Sequence, residues 1–126
     1  MKFMLMTKLG NENTPPPPME LYAAIGKFSE DMTKAGVLVS TGGLMHTSKG
    51  AKAKLSGGKI AITDGPFAEA KECVGGFAIV DVNSKEEAIE VAKRFLQIHA
   101  DVMGPGYELD SEIRQMYEPG GGPGTN

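Results

Sequence analysis

Apolar and polar residues recur with two different periods along this chain, and the changes between them mark its elements. In "AKAKLS" the alternation is strict, with Ala51, Ala53 and Leu55 on one face and Lys52, Lys54 and Ser56 on the other. Gly57-Gly58 supplies a two-residue turn that tolerates positive φ, and "KIAIT" returns with Ile60 and Ile62 on one face. This pattern predicts a β-hairpin whose lysine face is solvated and protects a sheet edge. From Glu20 to Ala35 the period changes. Leu21, Ile25, Phe28, Met32 and Ala35 step by four, three, four and three, which is one face of an α-helix, and Gly36 stops it.

The remaining elements follow from the same reading. "KFMLMT" predicts a first strand buried on both faces, and "NENTPPPP" a stiff, extended connector, since prolines fit neither a helix interior nor a central strand. "VLVSTGGL" reads as a strand broken at Gly42-Gly43, and "GGFAIVDV" as another apolar strand. Ser84 opens "SKEE", a capping box in which Ser84 and Glu87 satisfy each other's backbone donors. The helix it starts runs to about Ala100, with Ala88, Ile89, Ala92, Phe95 and Leu96 inward, and "GPG" at 104–106 interrupts. "YELDSEIRQMY" alternates Tyr107, Leu109, Ser111 and Ile113 against charged neighbours as a closing strand. The expected order is β-α-β, a β-hairpin, then β-α-β. That is an α+β fold, a ferredoxin-like sandwich with an inserted β-hairpin. Residues 1–117 form one domain and 118–126 a disordered tail. Two helices cover only one sheet face, so the apolar strands call for a second copy on the other, giving a homodimer.

Composition narrows the function. The 126 residues suffice for one domain that buries about 65% of its unfolded surface. A net charge of −3 argues against a broad nucleic-acid surface, although Lys49, Lys52, Lys54 and Lys59 form a local basic patch. The single cysteine, Cys73, has no partner for an intrachain disulfide and no activating base, and reads as a buried, inert thiol. There is no signal-peptide pattern, membrane span, phosphate-binding glycine loop or cofactor motif. The expectation is a reduced, cytoplasmic protein with no cofactor, no bound metal, no nucleic-acid partner and no membrane partner.

The segment "ITDGPFAEAKE", Ile62 to Glu72, carries the candidate chemistry. One reading is turn chemistry: Asp64 bonds backbone donors, Gly65 allows unusual φ, Pro66 has its φ fixed, and Phe67 plugs the core. A fully buried Phe67 would contribute about 3 kcal/mol. The other reading is functional. Asp64 ends an apolar strand beside a cavity, where burial would raise its pKa and Lys71 would hold it ionised. His46, after "GGLM", is its acid–base partner, and Lys71, Glu72 and Phe67 contact an unidentified small molecule. A metal site from His46, Asp64 and Glu72 lacks any ligand-spacing signature. His99, near a helix C-terminus, and His46 also have surface or capping readings. The eight methionines read as core filler.

Taken in order, Asp64-Gly65-Pro66-Phe67, then Glu69, Lys71 and Glu72, then Gly76-Phe77 and "SKEEAIE", resemble the DGPF subgroup of the YCII-related proteins. "GGLMHTSKGAKAKLSGGK" resembles that family's strand end, turn and hairpin, and "SEIRQMYE" its closing strand. The resemblance implies a dimeric α+β barrel. It implies no single activity: a His–Asp pair has been proposed for some members, and many DGPF proteins accompany sigma factors. One departure is "FLQIHADVMGPGYELD", longer across 97–106 than the short cysteine-proline link of the family. Two function classes follow: a small-molecule enzyme using Asp64 and His46, or a non-catalytic dimeric binding or regulatory module.

Overall fold

The computed structural model describes residues 1–67 and 73–118. Among these residues six strands and two α-helices follow in the order β1 (Lys2–Leu9), α1 (Met19–Lys34), β2 (Leu38–Gly43), β3 (Ala51–Ser56), β4 (Lys59–Asp64), β5 (Cys73–Asp81), α2 (Lys85–Met103) and β6 (Asp110–Gln115). The four-stranded sheet has the order β2-β5-β1-β6, with every neighbouring pair antiparallel. Each β-α-β unit is therefore split by a strand of the other, which is the ferredoxin-like arrangement. β3 and β4 form a sheet of their own, inserted between β2 and β5.

Register assigns the faces. Phe3 opposes Val80, and Leu5 opposes both Ala78 and Ile113, so these side chains share the face toward the helices. Phe3, Leu5, Val80 and Val82 pack with Ala88 and Ala92 of α2, all buried. The opposite face carries Met4 against Ile79 and Met6 against Phe77, and these are only half-buried within one chain. β1 is thus buried on one face, not two, because both helices lie on the same side of the sheet.

The helix ends follow local rules. Ser84 accepts a hydrogen bond from the Glu87 N–H, while the Glu87 carboxylate accepts one from the Asn83 N–H, one residue before the expected donor. α2 runs three residues beyond Ala100 and ends at Gly104, whose φ of 88° requires glycine. Much of the extra 97–106 length is thus the last turns of a helix. His99 lies on them, 6% exposed, and this corrects its surface reading. Its ring meets Phe95 edge-on at 4.6 Å and stacks on Tyr107 at 6.1 Å, and its Nδ1 lies 2.9 Å from the Phe95 carbonyl. Aromatic contact plus a backbone acceptor makes burial of the imidazole affordable. Tyr107 precedes β6 instead of belonging to it. Residues 119–126 of the expected tail lie outside the described residues.

Candidate functional site

Three segments meet at one end of the sheet: the loop after β1, the loop after β2, and the turn after β4. β1 ends opposite Cys73, so the loop carrying Glu12 and Asn13 emerges beside the start of β5. β2 ends at Gly43, opposite Gly76, and Leu44 continues the pairing through its N–H to the Gly75 carbonyl, 3.0 Å. The chain then makes a single 3₁₀ turn, Thr47–Lys49, before the hairpin.

Thr47 ties the three together. Its N–H and hydroxyl donate to the two Glu12 carboxylate oxygens at 2.9 and 2.5 Å, and its hydroxyl accepts from the Phe67 N–H at 3.1 Å. The Thr47 hydroxyl bond, then its amide bond, hold the Glu12 carboxyl below the usual range, against a smaller opposing push from burial. Gly65 explains the DGPF turn. It sits so close to Thr47 that a Cβ there would lie 1.8 Å from the Thr47 carbonyl oxygen. Its N–H donates to the Gly50 carbonyl at 2.9 Å, and the Gly65–Pro66 peptide is cis.

His46 caps the 3₁₀ turn. Its Nδ1 accepts from the Ser48 N–H at 3.1 Å. An amide can only donate, so Nδ1 carries no proton, and Nε2–H donates to the Asn13 side-chain oxygen at 2.7 Å. Nε2 also lies 3.5 Å from a Glu12 oxygen. Both ring nitrogens are therefore engaged in the neutral ring, and the ring forms a wall.

That wall belongs to a groove of about 620 Å³ lined by residues 43–47 and 49–52 with Phe67, Cys73 and Val74. The volume suits a small ligand. Leu44, Met45 and Val74 make it apolar, and among the described residues Lys49 and Lys52 are its cations. The Lys52 ammonium lies 4.4 Å from the centre of the Phe67 ring. No Asp or Glu lines the groove among the described residues. Cys73 is half-buried and lines it, which corrects the expectation that its thiol is buried.

The two expected acid–base residues are placed differently. His46 lines the groove, whereas Asp64 ends β4 opposite Ala51, exposed and outside the lining. No hydrogen bond joins them. Lys71 and Glu72 lie outside the described residues. Phe67 lines the groove and is half-buried, so Phe67→Ala should cost about 1–2 kcal/mol, below the figure for a fully buried ring. Urea denaturation of the variant checks this. Among the described residues no group of three or more His, Cys, Asp or Glu is placed to hold a metal ion, and no helix is long and apolar enough to cross a membrane. Glu12, Asn13 and Thr47 had no sequence signal beyond a polar run ahead of the prolines and a hydroxyl after His46.

The architecture is that of a ferredoxin-like α+β protein with a loop-built groove at one end of its sheet. The sequence pattern of the YCII-related domain matches residues 1–103. The chain belongs to this family. It is also 38% identical over 101 residues to an uncharacterised protein of Rhizobium meliloti (strain 1021), covering 80% of this chain and 75% of that one.

Proposed function

We propose that the protein is a homodimer that binds a small apolar anion, such as a carboxylate, in the groove beside His46. What supports this is the lining: apolar walls of Leu44, Met45 and Val74 with the ammonium groups of Lys49 and Lys52. In a partly desolvated site a cation contributes most against a negative charge, and the walls then select for an apolar body. Binding is favoured over catalysis because both nitrogens of His46 are already engaged and Asp64 is not its partner. Acid–base work by His46 would require the ring to leave Ser48 or Asn13. The half-buried Met4, Met6, Phe77 and Ile79 support dimerisation through the open sheet face.

The test is a thermal-shift series of aromatic and short aliphatic carboxylates against their matched neutral amides. A ligand that binds only the native state raises Tm. The carboxylates should raise it and the amides should not, and Lys49→Gln combined with Lys52→Gln should abolish the difference. Equal shifts for acids and amides would overturn the reading.

A further inference from the structure

The β3–β4 hairpin stands away from the body. Every residue of both strands is exposed. Its two faces differ in chemistry. Register puts Ala53 opposite Ile62 and Leu55 opposite Ile60 on one face, and Lys52 opposite Thr63 and Lys54 opposite Ala61 on the other. Leu55, Ile60 and Ile62 are 73%, 72% and 66% exposed. An isolated two-stranded ribbon is marginal in water, and one with a continuous apolar face calls for a cover.

We propose that this hairpin is an arm that docks, apolar face inward, on the body of a second copy of the chain. The inference rests on the homodimer proposed above and adds a second contact to it. Two observations select a second copy as the occupant. The first is area. Leu55, Ile60 and Ile62, with Ala53 and the neighbouring exposed Met45, offer on the order of 500 Å² of apolar surface, at the upper end for a monomer's largest patch. A standard interface needs about 800 Å² per partner. The four half-buried side chains of the open sheet face fall short of that alone, and the arm supplies the difference. The second is charge. Lys49, Lys52, Lys54 and Lys59 against Asp64 give the arm segment a surplus of three positive charges. The whole chain is −3, so the remainder carries −6. A second copy therefore presents an acidic body to a basic arm, which steers the approach of the two copies, while Lys52, Lys54 and Lys59, on the face opposite the apolar one, stay in water. Ala51, the first residue of the apolar face, also lines the groove, so the docked arm adjoins the ligand site.

Ile60 and Ile62 are 72% and 66% exposed, so changing them tests docking without emptying a core. Sedimentation equilibrium on the full chain compares wild type, the double variant Ile60→Ser with Ile62→Ser, and the sheet-face variant Met6→Glu. The double variant should keep the wild-type circular dichroism and weaken the dimer roughly 100-fold. Hydrogen exchange on the wild type adds a readout that needs no variant: amides of Ala51–Asp64 should gain protection as concentration rises through the dimer transition. A double variant that dimerises as tightly as wild type overturns the proposal, as do hairpin amides that exchange alike in monomer and dimer. Loss of dimer in Met6→Glu with retention in the double variant leaves the sheet-face dimer standing and removes the arm. A wild type that stays monomeric at high micromolar concentration removes both.

Discussion

Gly65→Ala is expected to destabilise the protein by about 3 kcal/mol or more, at the upper end for overpacking. The reason is local and steric. The added methyl would lie 1.8 Å from the Thr47 carbonyl oxygen and 2.6 Å from its carbonyl carbon. The obstacle is backbone on both counts, so no side chain can rotate away. The chain must open the contact between the DGPF turn and the 3₁₀ turn. That displaces Thr47, which anchors Glu12 on one side and the Phe67 N–H on the other. Loss of stability and loss of carboxylate binding should appear together. Urea denaturation gives the first and the thermal-shift series the second. Wild-type stability in Gly65→Ala would mean that Thr47 and Gly65 are not in contact in solution.

Thr47→Val is the second large effect. Valine keeps the shape but removes the hydroxyl, which donates to Glu12 and accepts from the Phe67 N–H. Two bonds are lost and one amide is left without its acceptor, so the expected cost is about 2 kcal/mol at neutral pH. The pH dependence has a defined sign. The folded-state pKa of Glu12 lies below its unfolded value, chiefly through the Thr47 hydroxyl. Its contribution is therefore present above the ordinary glutamate value of about 4.3 and is lost as pH falls through the lower folded value. In Thr47→Val the folded pKa moves back up, and less stability remains to be lost. The gap between wild type and variant should be widest near neutral pH and narrow below about pH 4. Melting temperatures across that range measure it. A gap independent of pH would remove Glu12 from the account.

The parts of the fold set by local pattern were legible in the sequence. Strict alternation around Gly57-Gly58 placed both strands of the hairpin, and the glycines have φ of 58° and 75° as the turn requires. The four-and-three spacing placed α1 to within a residue at each end. What pattern could not reach was contact across distance. Glu12 and Thr47 are 35 positions apart and meet only because β1 and β2 both flank β5. The polar run before the prolines therefore read as a connector, and His46 was matched with the nearer Asp64. His99 is a different case. It follows Phe95 by four, on the buried stripe of α2, and that spacing was available. Its residue type drew attention away from its position.

Ligand titration followed by NMR tests whether the groove beside His46 binds the proposed apolar anion. Side-chain methyl groups of Leu44, Met45 and Val74 and the ring protons of His46 and Phe67 report on the groove. Titration with a short aromatic carboxylate should move these resonances together along one saturable curve. The same curve should be absent in the Lys49→Gln, Lys52→Gln protein. Resonances that shift only elsewhere, or a curve unchanged by loss of the two lysines, would contradict the account.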